Sequence, residues 1–232
     1  MEAISAWCAD VVRQFDFNLI QGDRYKMLFS GLGTTLIIAL SAAVIGVLLG
    51  AVIALMRLSK WKVLRAVGTL YVDIIRGTPV VVQLLIMYYI IMATYAGPKS
   101  VVAILSFSLN SAAYVSEMVR GGILAVDKGQ TEAGRSLGLS SASTMMLIVM
   151  PQAIKIILPS LFNEFIALLK ETSVVGFIGL MDLTKAGDYI RSRTYAAFFP
   201  LISVALIYLV IVTVLTRLLG MVERRMRTGD SR

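Results

Sequence analysis

Two groups of charged residues lie inside stretches of the sequence that are otherwise apolar. Glu164 and Glu171 are seven residues apart, so a helix would place them on one face, with Lys170 beside Glu171. Glu117 and Arg120 are three residues apart and would also share a helix face. Charged side chains at membrane depth pair with one another or face water. These residues therefore predict ion pairs or contacts with a polar ligand.

Each group has two interpretations. Lys170 and Glu171 offer complementary charges to the carboxylate and the ammonium group of an amino acid, or they neutralise each other as a structural pair. For Glu164 the structural interpretation is the stronger one. For Glu117 and Arg120 we expect a structural ion pair near the inner surface, with a direct transport role as the alternative.

The composition excludes several kinds of chemistry. The chain has no His and a single Cys, Cys8, so zinc sites, disulfides and Cys/His or Ser/His catalysis are not expected. It also contains no Gly-Lys pair and therefore no Gly-x-x-x-x-Gly-Lys phosphate loop. We predict no catalytic residue, no metal and no cofactor bound by this chain. ATP and magnesium, if they drive transport, would bind to a separate ATPase polypeptide.

The hydropathy of the chain indicates an integral membrane protein. Hydrophobic residues make up 58% of 232 positions, and the mean hydropathy is +0.82. About 20 apolar residues span the hydrocarbon region as a helix. The sequence predicts an all-α protein with about five spans, near residues 27–56, 77–98, 100–126, 151–181 and 194–216.

The distribution of charge orients these spans. The first connector carries Arg57, Lys60, Lys62 and Arg65 without an acid, and the C-terminal tail is rich in Arg. Basic loops face the cytoplasm, which places the N-terminus outside and the C-terminus inside. The same bias explains the net charge of +8, and we expect contact with anionic lipid and no nucleic-acid partner.

One domain accounts for the chain. Residues 1–26 form an external or interfacial segment, 27–220 a transmembrane domain, and 221–232 a basic cytoplasmic tail. Residues 127–150 form a cytoplasmic loop between spans three and four, with helical pieces divided at Gly138 and an N-cap at Ser140 or Ser141. Residues 61–76 are predicted to form an interfacial helix. The fourth span is expected to open at Pro151.

The loop from Glu132 to Pro151 contains a recognisable pattern: Glu132-Ala133-Gly134, then Gly138, then Ile148-Val149-Met150-Pro151. It resembles the signature loop of permease subunits in bacterial binding-protein-dependent ABC importers. Gly134 stands where the pattern has a second Ala, and Met150 stands where it has Leu. In that family, the loop receives mechanical work from a separate ATPase.

Other motifs extend the resemblance to the polar amino acid uptake family. They are Arg76-Gly77-Thr78-Pro79 with Gln83, Tyr114 to Gly122, Pro151-Gln152-Ala153, Leu158-Pro159 with Asn163, and Lys170-Glu171-Thr172-Ser173. The last tetrad is commonly Lys-Asp-Thr-Ser in the family, so Glu171 is longer by one methylene. Taken alone, Pro79 is also explained as the start of a helix.

The resemblance implies roles for these residues. ATPase coupling is implied for Glu132, Ala133, Gly134 and Gly138. A substrate path is implied for Lys170, Glu171, Thr172 and Glu164. Motif or structural roles are implied for Arg76, Gly77, Thr78, Pro79, Glu117, Arg120 and Pro151. The implied partners are a pair of ATP-binding subunits, a second permease subunit in a homo- or heterodimer, an external or periplasmic solute-binding protein and an amino acid substrate, in a bacterial inner membrane.

The alternative function is a stand-alone secondary transporter or channel. Inverted repeats are expected in that class, and the chain shows none. A membrane enzyme would need a catalytic group of residues, for which the sequence offers no candidate.

Overall fold

The computed structural model describes the backbone of residues 2–228 and the side chains of residues 4–221, 223 and 224. These residues form helices and turns and no strand, as the sequence predicts. The helices are α1 Glu2–Phe15, α2 Arg24–Leu58, α3 Lys62–Arg76, α4 Val80–Ile86, α5 Lys99–Leu124, α6 Lys128–Ser136, α7 Ser141–Thr144, α8 Met150–Glu171, α9 Leu183–Thr194 and α10 Phe198–Thr228. A π-helical turn follows α4 (Met87–Ile91) and α7 (Met145–Val149), and a 3-10 helix follows α8 (Thr172–Ile178).

Four helical segments are long and apolar enough to span a membrane, and a bent pair forms a fifth candidate. The prediction that residues 77–98 span alone is wrong, because only residues 80–91 are helical. Twelve helical residues rise about 18 Å, less than the hydrocarbon thickness. α3 precedes this segment at an angle of 105°, and the two together form the bent pair that is the fifth candidate.

Close packing of α2 against α5 forms the centre of the bundle. A Cβ added at Gly46 would lie 2.9 Å from the Cβ of Ser111, and one at Gly50 would lie 2.6 Å from the Cβ of Val115. The small residues at this spacing let the two backbones approach closely. Gly46 and Gly50 therefore form a Gly-x-x-x-Gly pair that packs within one chain.

Two apolar clusters hold the other helices to this pair. One contains Ile38, Leu84, Phe107, Leu168 and Val175 and joins α2, α4, α5 and α8. The other surrounds Leu183 and Ile190 of α9 and joins it to α2 and α10. Burial of large apolar side chains is what fixes α8 beside α5.

The helix that contains the fourth span begins at Ser141, and the N-cap predicted at Ser140 or Ser141 is confirmed. The helix does not open at Pro151, because α7, a π-helical turn and α8 follow one another without a break from Ser141. Ser140 is the N-cap, and its Oγ accepts a hydrogen bond from the backbone N–H of Ser143. The capped N-terminus thus lies ten residues before the proline.

The ends of the chain are also helical. α1 precedes α2, and the ring of Phe15 makes an edge contact with Phe199 at the start of α10. α10 continues beyond residue 220 to Thr228. Residues 229–232 of the predicted basic tail lie outside the described residues.

Candidate functional site

α6 and the turn after it form a sharply ended hairpin between the third and fourth spans. Asp127 begins α6, with its Oδ1 accepting a hydrogen bond from the N–H of Gly129. Gly138 ends it with φ of +82°, a left-handed conformation that favours glycine. Leu139 N–H bonds to Gly134 O, and Gly138 N–H bonds to Arg135 O, the pairing of a Schellman motif. Gly138 therefore makes the sharp turn, and the space around its α-carbon is open.

Gly134 attaches α6 to the start of the fourth span. It is the buried residue in a helix that is otherwise exposed. A Cβ at this position would lie 2.7 Å from Ile148 Cδ1 and 2.8 Å from Thr144 Cγ2. The departure from the family pattern, Gly in place of Ala, thus allows α6 to pack more closely on the fourth span. Gln152 strengthens the attachment by donating to Gln130 Oε1 at 3.3 Å.

The opposite face of the hairpin is open to a partner. Glu132 and Ala133 are both exposed, and 81% of Leu137 is accessible. An exposed leucine beside a free carboxylate on a short helix is a surface that another protein can cover. Three of the four residues predicted to act in coupling lie on or beside this surface, while Gly134 lies beneath it.

A single run of helix connects the hairpin with the predicted substrate path. The helical segment from Ser141 to Ile178 is 38 residues long and carries Lys170 and Glu171 near its far end. Met150 and Lys170 are separated by about 30 Å along the helix axis. Because α6 packs on the near end, a displacement of the hairpin would be transmitted to the far end.

The charged residues of α8 differ in their surroundings. Glu164 is half-buried, and its Oε1 accepts a hydrogen bond from Ser111 Oγ at 3.1 Å. Lys170 is exposed, and Glu171 is half-buried. Within the described part of the chain, neither carboxylate has a cationic group within 4 Å. The predicted Lys170–Glu171 salt bridge is therefore not formed here.

Thr172 occupies a different environment from its neighbours. It is fully buried, and its Oγ1 donates to Leu169 O at 2.8 Å. This hydrogen bond lies at the C-terminal end of α8, where the 3-10 helix begins. The structure therefore does not place Thr172 beside Lys170 on an accessible surface.

An exposed polar stripe lies on one face of α8. It consists of Asn163 and Lys170, which are seven residues apart and both exposed. Among the described residues, neither Asn163 nor Lys170 donates a hydrogen bond to another side chain. Polar groups at this depth face water or another protein chain rather than lipid. Pro151 is exposed at the first turn of the same helix.

Glu117 is the centre of an ion cluster, which we call the arginine cluster: Glu117, Arg57, Arg76 and Arg120. Glu117 Oε2 lies 2.8 Å from Arg120 Nη2, so the predicted ion pair is present. Glu117 Oε1 lies 2.7 Å from Arg57 Nη1 and 3.8 Å from Arg76 Nη1. One carboxylate thus interacts with three guanidinium groups from α2, α3 and α5.

The Arg76–Pro79 motif makes the bend between α3 and α4. Thr78 Oγ1 donates to Ile74 O at 2.9 Å. Gln83 Nε2 reaches back to Ile75 O at 2.7 Å, and its Oε1 accepts a hydrogen bond from Asn110 Nδ2 at 2.9 Å. Pro79 has extended backbone angles and immediately precedes α4. The motif therefore forms a bend that hydrogen bonds hold in place, and the Gln83–Asn110 hydrogen bond attaches it to α5.

Sequence reasoning missed three residues of these sites: Arg57, Asn110 and Ser111. Arg57 was recognised only as an orienting charge, although it ends the uncharged run of α2. Asn110 and Ser111 are buried polar residues of α5, a helix whose buried residues also include Ser106, Ser108 and Ser116. Polar residues inside a span often mark functional or paired positions, so these residues were the signal that the sequence offered.

The end of the bundle opposite the hairpin carries α9. Asp182 begins α9 and accepts hydrogen bonds from the N–H groups of Thr184 and Lys185. Burial raises the pKa of Asp182, although these hydrogen bonds act in the other direction. Asp188 pairs with Arg191 at 2.6 Å and with Lys185 at 3.2 Å, and these hydrogen bonds lower its pKa. α9 thus presents charged groups on its accessible side.

The fold and these sites define a class of protein: an all-helical, multi-pass membrane protein with a helical hairpin projecting between two spans. Residues 46–228 match the family described as "Binding-protein-dependent transport system inner membrane component". The chain belongs to this family.

Named relatives are permease proteins of amino acid transport. The chain is 39% identical over 205 residues to the arginine transport system permease protein ArtQ of Bacillus subtilis, covering 88% of this chain and 94% of the relative. It is 41% identical over 207 residues to the putative glutamine transport system permease protein GlnP of Rickettsia bellii, covering 87% and 94%. These relatives confirm the resemblance that the motifs predicted.

A solved structure has the same fold. It is described as an amino acid ABC transporter with histidines, and one of its chains is 45% identical to this one. The TM-score is 0.82, and the match covers 87% of this chain and 94% of the other.

Proposed function

We propose that this chain is the membrane-spanning subunit of an ATP-driven importer for a polar amino acid. The substrate would be delivered by an external solute-binding protein, and ATP and magnesium would bind to a separate pair of ATPase subunits. The chain would reside in a bacterial inner membrane with its N-terminus outside and its C-terminus inside. The observation that carries the proposal is the continuous helical connection from the α6 hairpin to Lys170 and Glu171.

The coupling step follows from the packing of α6. Glu132, Ala133 and Leu137 would rest in a groove of the ATPase, while Gly134 attaches the hairpin to the fourth span. Closure of the two ATPase subunits around nucleotide would move α6 as a rigid body. α8 would follow, because Gly134 leaves no room for a Cβ against Thr144 and Ile148, which precede α8 in the same helical run.

The polar stripe on α8 supports a second permease subunit. Asn163 and Lys170 are exposed in a span, where lipid contact would be costly. Two permease chains that bring these stripes together would create a water-filled path between them. The two subunits could be identical or different chains of the same family.

The charges along the path favour an amino acid as substrate. Lys170 can pair with a carboxylate, while Glu164 and Glu171 can accept hydrogen bonds from an ammonium group. Neither carboxylate has a cation within 4 Å in the described part of the chain, which leaves both able to accept hydrogen bonds from the ammonium group of a substrate. The names of the relatives, which include arginine and glutamine transport, support an amino acid as the substrate.

The solute-binding protein would dock at the opposite surface. α9 carries Lys185, Asp188 and Arg191 there, and this charged surface suits a reversible contact with another protein. The N-terminal segment would lie on the same side of the membrane.

The experiment that tests the proposal is substrate-stimulated ATP hydrolysis by the reconstituted complex. Glu132→Lys should abolish the stimulation, because it reverses the charge on the partner-facing side of α6. Gly138→Asp should do the same, because it strains a left-handed residue and adds charge at the turn. Both variants should remain folded, since neither side chain is buried.

Asp73→Lys is the matched control, since it reverses an exposed carboxylate of α3 outside the hairpin. Normal stimulation in both hairpin variants would rule out the coupling role. Uptake by this chain in vesicles without any ATPase would replace the proposal with a secondary transporter.

A further inference from the structure

The arginine cluster carries more positive charge than it neutralises. Glu117 supplies one negative charge, whereas Arg57, Arg76 and Arg120 supply three positive charges. Asp73 lies one turn before Arg76 but makes no ion pair within 4 Å among the described residues. The cluster therefore has an excess of two positive charges.

The pairing inside the cluster is also incomplete. The side chain of Arg57 is 9% exposed, and its Nε is buried without a hydrogen-bond partner in the described part of the chain. Arg76 is 3.8 Å from the carboxylate, the longest contact of the three, and 46% of its side chain is accessible. Both Glu117 oxygens already have guanidinium partners. The exposed donors of Arg76 and Arg120 are therefore available to a second anion.

Apolar surfaces lie close to Arg76 along the chain, because its neighbours Ile74 and Ile75 line a cavity. A cavity of about 260 Å³ lies at the bend between α3 and α4, lined by Ile74, Ile75, Val82 and Leu109 among others. On α3 itself, Val63, Val67, Leu70 and Ile74 form an exposed apolar stripe at helical spacing. A small soluble anion would leave these surfaces uncovered, whereas an anion attached to an acyl chain would cover them.

We propose that the arginine cluster and the bend cavity together bind an anionic phospholipid. The phosphate would be held by Arg76 and Arg120, whose guanidinium groups match phosphate oxygens in geometry and charge. An acyl chain would occupy the bend cavity beside Ile75. The ring of Tyr114, with its centroid 5.3 Å from Arg76 Cζ, restricts the orientation of that guanidinium group.

This inference rests on the proposed orientation, in which the cluster lies at the cytoplasmic leaflet. That leaflet carries anionic lipids, and basic pockets between spans on this side bind their headgroups. The bound lipid would stabilise the corner between α3 and α4, because its phosphate would contact Arg76 of α3 and its acyl chain would contact Val82 of α4 in the bend cavity.

The test is native mass spectrometry of the delipidated transporter complex, titrated with phosphatidylglycerol or with phosphatidylcholine of the same acyl chains. We expect phosphatidylglycerol to bind more tightly. Arg76→Gln should weaken its binding about fivefold, the effect of one basic side chain near the surface. Arg76→Lys should keep only part of the binding, because it retains the charge but loses the planar geometry of the guanidinium group.

Arg65→Gln is the matched control, since it removes the same charge from an exposed position earlier on α3. It should change binding less than about twofold. Equal losses in Arg65→Gln and Arg76→Gln, or equal binding of the two lipids, would overturn the proposed site. Displacement of the lipid by inorganic phosphate or glycerol phosphate would assign the cluster to a soluble anion instead.

This result is independent of the coupling experiment. Lipid binding is measured without ATP hydrolysis, so the Glu132→Lys complex should still bind phosphatidylglycerol. If the complex shows substrate-stimulated ATP hydrolysis but does not bind phosphatidylglycerol, the lipid site is refuted and the proposed function is not.

Discussion

Glu117 and Glu164 are both partly buried glutamates on membrane helices, but their surroundings are opposite. Glu117 contacts three guanidinium groups, the nearest at 2.7 Å. Glu164 accepts one hydrogen bond, from Ser111, and has no cation within 4 Å in the described part of the chain. A carboxylate that is already paired with three cations is unavailable to a ligand, whereas one that holds a single hydroxyl can accept more donors.

The difference separates a structural site from a candidate binding site. Glu117 joins the ends of α2, α3 and α5, so its charge contributes to the fold. Glu164 and Glu171 lie on the helical run that begins beside the α6 hairpin, for which we propose the coupling role. The position of a charge in the sequence does not distinguish these roles, but its partners do.

The largest effect on stability is expected from Glu117→Gln. It leaves Arg57 buried without its carboxylate, and removing one partner of a buried ion pair costs about 3 kcal/mol or more. For a chain of this length that corresponds to a fall in Tm of about 6–12 °C. Thermal unfolding of the detergent-purified protein measures it. An unchanged Tm would mean that the three arginines do not depend on Glu117.

Glu164→Gln should have the opposite effects: little change in stability and a large loss of uptake. No cation loses its partner, and glutamine Oε1 can still accept the hydrogen bond of Ser111, so the Tm should stay within about 2 °C. Uptake should fall at least tenfold, because a hydrogen bond from a charged substrate is worth about 1.5–3 kcal/mol.

Glu164→Asp, which keeps the charge, should restore part of the uptake. If Glu164→Gln transports with an unchanged KM, Glu164 belongs with Glu117 as a structural residue and the contrast between them disappears.

The sequence predicted the helical class and most of the spans because membrane thickness sets the length of an apolar run. The prediction failed for residues 77–98, since hydropathy does not report where a helix bends. The 105° bend depends on Gln83 reaching back to Ile75 and on Asn110 of another helix. Pro151 suggested the start of the fourth span, whereas the helix begins at the N-cap Ser140, which the sequence also predicted.

The candidate sites were predictable to different degrees for a related reason. The turn at Gly138 and the cap at Ser140 are local, so the sequence contains all the information needed for the hairpin. The Glu117–Arg120 pair is also local. Ser111 meets Glu164 across 53 residues, and Arg57 meets Ser116 across 59, and such contacts depend on how helices pack.

The smallest expected effect, and the sharpest test of the contrast, comes from Ser111→Ala. The hydroxyl holds Glu164 in one orientation, and its loss removes one hydrogen bond, worth about 1 kcal/mol. The Cβ, which packs against Gly46, is retained, so the approach of α2 to α5 should be unchanged. We expect KM to rise about fivefold with little change in kcat. A fall in Tm with unchanged KM would instead show that the hydroxyl serves helix packing, and Glu164 would then lack the preorganisation that distinguishes it from Glu117.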